Sequence, residues 1–349
     1  MLTGPVTLRS TSSAGAALSE ASRRALLEGL YKSFDHEASA TDPVHIVRRY
    51  PRAEDREIVG FIAAGLAFGR VASVLHSIEA LLAVLGPHPA EFVRRFEPSR
   101  DRGPIDPLVH RWIRGRDLVA LLLVLQRMLR DEGSIEGFFR VGDDADSPDI
   151  GPPLDSFSSR AMVTDVWAAY GGRLPARAGV GSFFPRPSSG SACKRLNLFL
   201  RWMVRSDAID LGVWRSVSPS RLVIPLDTHT IRLGRCLRLT RYVSPGWKMA
   251  AEITAGLRAL ESTDPVRYDF SLCHLGMMGA CGFDRAQRDS QCPLRGLCRP
   301  VVRAAVSQRT VNGARRSERS TVWAGPASIG ASHPVPAVGW HDSGCPSVE

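Results

Sequence analysis

Lys194 and Asp227 are the residues whose types and surroundings suit covalent chemistry on a polyanion. Asp227 lies in the run Ile224-Pro225-Leu226-Asp227-Thr228-His229 and is the one carboxylate between Asp210 and Glu252. The 41 residues of that interval otherwise carry seven cations: Arg215, Arg221, Arg232, Arg235, Arg238, Arg241 and Lys248. One acid at a helix start inside a basic field suits a surface that attracts a polyanion and needs a negative group at one point. It equally suits a plain helix cap, because an Asp side chain accepts a hydrogen bond from the first turn. Lys194 is one of three lysines, with Lys32 and Lys248, so 42 of the 45 basic residues are arginine. A neutral amine is a nucleophile that a guanidinium cannot replace. Lys194 falls in the first turn of a predicted helix, where the helix dipole and adjacent Arg195 are expected to depress its pKa. The competing reading is a solvated lysine on a basic face.

The element that must hold Lys194 is a turn followed by a helix, together spanning 184–205. From Arg173 to Ser206 there is no acid, against seven cations: Arg173, Arg177, Arg186, Lys194, Arg195, Arg201 and Arg205. The run Phe184-Pro185-Arg186-Pro187-Ser188-Ser189-Gly190-Ser191 is turn chemistry leading into the helix. Its exposed N–H groups make a phosphate seat at a helix start, with Arg186, Ser188, Gly190 and Ser191 as the contacting residues. In the helix, Leu196, Phe199, Leu200 and Met203 repeat at core-packing intervals. Lys194, Arg201 and Arg205 are expected on the opposite, outward face, where Arg201 and Arg205 would neutralise phosphates alongside Arg195 and Arg232. A second helix over 226–239 must hold Asp227. His229 and Trp202 are read as structural, the first following a cap and the second packing.

A net charge of +10 favours an anionic partner, with nucleic acid ahead of a membrane surface. No run reaches the 18 or so apolar residues that span a bilayer, and the first 20 lack the apolar core of a secretory signal. The expectation is a cytoplasmic, nucleoid-associated monomer. Apolar spacing predicts helices around 58–66, 74–85, 117–129 and 249–260, with a Gly86-Pro87 stop and no strands. The Asp-, Pro- and Gly-rich stretch 142–155 reads as a loop or a crossing between subdomains. Residues 1–20 and 303–349 are small, polar and aperiodic and are expected to be disordered. That leaves an all-α body over 21–302.

In their order, GSACKRLNLFLRWMVR, IPLDTHTIRLGRCLRL and YDFSLCHLGMMGAC resemble an uncharacterised bacterial family, a domain of unknown function. That family in turn resembles the helix-hairpin-helix, endonuclease III-like DNA glycosylases, and the likeness covers most of residues 25–300. It implies a two-subdomain helical fold with a helix-hairpin-helix element, Lys194 as a Schiff-base lysine and Asp227 as the catalytic aspartate. The implied partner is double-stranded DNA with a flipped or damaged base. The implied activity is N-glycosylase, with AP lyase activity through the lysine imine. The 33 positions between the two residues exceed the spacing expected of such relatives, so residues 207–221 read as an insertion. Gly179-Val180-Gly181 nearly matches the relatives' hairpin but lies too far before Lys194, and the turn at 187–191 is preferred. Two rival functions stay open: a non-catalytic DNA-structure-binding protein on the same scaffold, and a metal-dependent sensor.

The resemblance also implies a cysteine loop over 281–298. Cys281, Asp289, Cys292 and Cys298 stand at or near the places where the relatives carry four cysteines. Three thiolates and a carboxylate suit a [4Fe–4S] cluster or a zinc ion, or mark a loop that has lost its metal. Cys273 is a candidate fourth thiolate, expected to point elsewhere. Cys193 and Cys236 are expected in the core.

Overall fold

The computed structural model describes residues 19–35, 37–173, 175–176, 178–277, 292–294 and 297. The chain divides into two units, 1–302 and 303–349, and the described residues all belong to the first. The termini expected to be disordered lie outside the described residues, except that Ser19 caps the first helix and Glu20 opens it.

The architecture is helical. In chain order come α1 (Glu20–Lys32), α2 (Val44–Arg48), α3 (Ala53–Leu66), α4 (Val71–Leu85), α5 (Pro89–Arg94) and α6 (Pro98–Asp101). A two-residue-per-strand hairpin, β1 (Val109–His110) and β2 (Ile113–Arg114), pairs antiparallel, which corrects the expectation of no strands. Then follow α7 (Gly115–Glu132), α8 (Ile135–Arg140), α9 (Gly151–Ala161), α10 (Lys194–Val204), α11 (Thr228–Cys236), α12 (Trp247–Arg258) and α13 (Asp269–Met277). The strands escaped notice because alternation needs more than two residues to show. The loop expected at 142–155 is shorter, since α9 begins at Gly151. Arg221 braces that loop, donating to Asp143 at 2.6 Å and to the Ser147 carbonyl at 3.1 Å.

Helix α3 is the axis of the core, with Glu57 through Leu66 buried without interruption. It packs on α2, α4, α5 and α10. The contact with α10 is close because Gly60 has no side chain: a Cβ there would lie 2.8 Å from Met203 Cε. On α10 the predicted stripe of Leu196, Phe199, Leu200 and Met203 is buried, each contributing about 1.5–3 kcal/mol relative to exposure. Helix α7 is capped by Asp117 of its own first turn, whose carboxylate accepts from the Arg114 N–H at 2.9 Å, and it stops at Gly133 with a left-handed φ of 76°. Asp117 also accepts from the Gly179 N–H at 3.1 Å, which locks the Gly179-Val180-Gly181 turn against α7.

The outward face assigned to Arg201 and Arg205 does not exist. Each is 3 % exposed. The segment 207–221, expected as an insertion, folds back over that face of α10. The Leu211 and Gly212 N–H groups donate to the Trp202 carbonyl, and the Trp214 N–H donates to that of Met203 at 2.7 Å. The fold-back brings Asp207 and Asp210 to the arginines. Arg201 pairs with Asp210 at 3.1 Å and with Asp269 of α13, and Arg205 pairs with Asp210, with Asp207 at 2.7 Å and with Asp264 at 2.8 Å. A 34-residue acid-free stretch looks like a solvated cationic face in sequence, but its counter-ions arrive from beyond its end.

Candidate active site

The loop after α3, the first turn of α4, and helices α10, α11 and α13 border a cleft of about 520 Å³. Lys194 and Asp227 both line it, from the first turn of α10 and the first position before α11. The sequence expectation that both residues stand at helix starts is met. Phe68, Arg201, Asp269 and Cys273 line the same cleft. Two helix starts aimed into one cavity place two positive dipole ends around it, which favours an anion there.

Local chemistry explains each placement. Residues 186–193 wind through a short 3-10 turn, Pro187–Ser189, and left-handed Gly190. Cys193 is also left-handed, with φ 48°, and its N–H donates to Ser191 Oγ at 3.2 Å. A non-glycine residue at positive φ is uncommon, and here it turns the chain sharply so that α10 starts at Lys194. The Lys194 ammonium donates to the Ala67 carbonyl at 3.5 Å, at the end of α3. Cys193 is buried as expected, and burial pushes its thiol up to about 12.

Asp227 is an N-cap and something more. One carboxylate oxygen accepts from the Thr230 N–H at 2.7 Å, and the other accepts from the Cys273 thiol at 3.1 Å. Burial pushes the Asp227 carboxyl up. The Thr230 N–H, the Lys194 charge and the Cys273 thiol together outweigh that and hold it below its ordinary value. The group is therefore ionised at neutral pH. Burial drives the Cys273 thiol upward, and the charges of Asp227 and Asp269 drive it further, so it stays a donor rather than a thiolate. Asp269 is also pushed up by burial, against the pull of Arg201 and with a further push from Asp227.

Sequence reasoning missed Cys273 and Asp269 as members of this site. Asp269, Cys273 and Met277 recur every four residues, which puts them on one face of α13. That signal was present but had nothing to attach to until α13 was known to lie on α11. Gly276 sets that approach: a Cβ there would fall 2.7 Å from His229 Cβ. His229 lines the cleft half-buried, and Trp202 is fully buried in the core.

The remaining predicted phosphate contacts divide. Arg186, Ser188 and Gly190 are exposed. The Ser188 N–H and hydroxyl, however, already donate to the Asp155 carboxylate, the hydroxyl at 2.7 Å, so the turn holds an internal anion. Ser191 caps Cys193. Arg195 turns inward, donating to the Gly65 carbonyl at 2.9 Å and to that of Ser182 and lying over the Phe68 and Phe183 rings, and burial lowers its pKa to about 10. It braces the lip of the cleft. Arg232 is half-buried on α11.

Of the expected metal ligands, Cys281, Asp289 and Cys298 lie outside the described residues, and Cys292 is buried. Among the described residues no cluster of His, Cys, Asp and Glu could hold a metal ion. Cys273 donates its S–H to Asp227 at 3.1 Å. No helix among the described residues is long and apolar enough to cross a membrane.

No curated protein and no solved structure matches the chain. A family model does match, over residues 42–278, which include α10, α11, α13 and all of the cleft's lining but Thr41. On that span the chain belongs to DUF2400, a family described as protein of unknown function.

Proposed function

We propose that this chain is a DNA N-glycosylase with AP lyase activity, related to the helix-hairpin-helix, endonuclease III-like enzymes. The observation that carries the proposal is that Lys194 and Asp227, 33 positions apart, line one cleft. The order of the motifs around them supports the kinship. The cleft's volume of about 520 Å³ suits a single everted nucleotide.

In this reading the target nucleotide leaves the duplex and enters the cleft, at a cost of a few kcal/mol that is least for a damaged or mismatched base. The neutral Lys194 amine attacks C1′ of the sugar. The C1′–N bond to the base breaks, and the base departs with the bonding pair and takes up a proton. Asp227, ionised and fixed by two hydrogen bonds, stabilises the positive charge that grows on the sugar and receives a proton from the attacking amine. Opening of the sugar ring leaves an imine between Nζ and C1′. Loss of a C2′ proton then eliminates the 3′ phosphate and nicks the strand. Cys273 serves this chemistry as a positioning residue, since its S–H holds the Asp227 oxygen without competing as a nucleophile. No step requires a metal.

Borohydride reduction of the imine provides the test. Wild-type protein incubated with a panel of lesion-bearing duplexes should give a covalent adduct on at least one. Lys194→Gln should give none while keeping its melting temperature, and Asp227→Asn should reduce the trapping rate at least a hundredfold, roughly the scale of one acid–base group. An undiminished adduct in Lys194→Gln, or no adduct with any lesion, refutes the assignment.

A further inference from the structure

Beside the cleft the hairpin of β1 and β2 carries a large aromatic side chain that the mechanism above does not use. Trp112 is 54 % exposed at the hairpin tip. Its ring lies on that of Phe68, with centroids 4.4 Å apart and planes within 27°. Phe68 lines the cleft, directly after the residue whose carbonyl accepts from Lys194. Arg195 lies over Phe68 at 4.9 Å, and Arg111 lies over Trp112 at 5.5 Å. The pair is therefore an aromatic step leading from the mouth of the cleft outward, with a guanidinium at each end.

The hairpin is built to present that step. Arg111 takes a left-handed φ of 55°, which closes the tight turn after His110. The His110 ring makes hydrogen bonds with Ser77 Oγ at 2.9 Å and the Phe68 carbonyl at 3.0 Å, tying the strand to α4 and to the lip. Around the tip Arg70, Arg111, Arg114 and Arg116 are all exposed. Between Asp106 and Asp131 the one acid is Asp117, which is buried at the start of α7. A tryptophan offered to solvent at a hairpin tip, amid exposed arginines, fits a flat and hydrophobic group carried on an anionic backbone.

We propose that Trp112 and Phe68 form a stacking platform for an unpaired nucleobase flanking the nucleotide in the cleft, with Arg111 on its phosphate. The inference rests on the nucleic-acid reading above and narrows its substrate to a strand that is already unpaired or locally opened. Stacking on an aromatic ring is tolerant of base identity, so the platform selects strand state rather than sequence.

Fluorescence anisotropy with three labelled probes tests it: a single strand, a perfect duplex, and the same duplex with one bulged nucleotide. Wild type should favour the single strand and the bulge over the perfect duplex. Trp112→Ala should weaken the first two roughly tenfold and change the third less than twofold. Trp112→Leu keeps an apolar group on Phe68 without a ring and should match the alanine variant, while Trp112→Phe should retain most of the affinity. Unaltered binding of the unpaired probes by Trp112→Ala and Trp112→Leu overturns the platform alone. Failure of the wild type to bind any of the three overturns the platform together with the glycosylase reading.

Discussion

At the first turn of α10, Lys194 meets the Asp227 carboxylate across an open cleft, whereas in its last turns Arg201 and Arg205 meet four carboxylates almost without solvent. Both ends belong to the same acid-free stretch and look alike in composition. They differ in what the surrounding chain does. The segment after α10 folds over the arginines and matches them, while α11 and α13 stand off from the lysine and leave room for a ligand. A cation whose counter-ions are all internal is committed to holding the fold. Lys194, whose own hydrogen bond is a 3.5 Å contact to a backbone carbonyl, is committed to nothing that a substrate could not replace.

That contrast can be broken at its structural end first. Arg205→Met removes one member of a buried network and takes the arginine partner from Asp207 and Asp264, so it should destabilise the fold by about 3–5 kcal/mol in urea denaturation. Lys194→Gln in the same titration should differ from wild type by no more than about 0.5 kcal/mol. Equal losses would mean that the two ends of α10 are not distinct.

The next lever is pH. Asp207 is pushed up by burial, but Arg205 and the Asp210 and Ile209 N–H groups hold it below its ordinary value of 3.8. A carboxyl with a depressed folded pKa contributes stability that is present above 3.8 and disappears as pH falls through the folded value. Melting temperature should therefore drop steeply on acidification below about pH 4. Asp207→Asn should start lower and show a shallower fall, and parallel curves would place the acid sensitivity elsewhere. The smallest effect is expected at Arg186, which is exposed. Arg186→Ala should leave stability within about 0.5 kcal/mol and lower the salt slope of DNA binding by about one unit. A slope unchanged from wild type would remove Arg186 from the phosphate contacts.

What the sequence made legible was local. Helix starts at Lys194 and Asp227, the apolar stripe of α10, the Gly86-Pro87 stop and the burial of Cys193 and Cys236 each depend on neighbours within a turn or two. The errors were long-range. Arg201 and Arg205 sit at positions where helical geometry alone points them outward, and only the return of residues 207–214 changes that. The tie between Cys273 and Asp227 spans 46 positions, and the stack of Trp112 on Phe68 joins two loops that no periodicity connects. The Ser188 seat was visible as an anion site, but its present occupant, Asp155, is 33 residues away.

The bare backbone at Gly276 acts as a calibrated gap. Because α13 can press against His229 only where no Cβ intervenes, the missing methyl group fixes the separation of the two helices that carry Asp227 and Cys273. A reach of 3.1 Å between sulfur and carboxylate survives only while that gap stays empty. The machinery on one side of the cavity is thus tuned from behind, by an atom the protein omits.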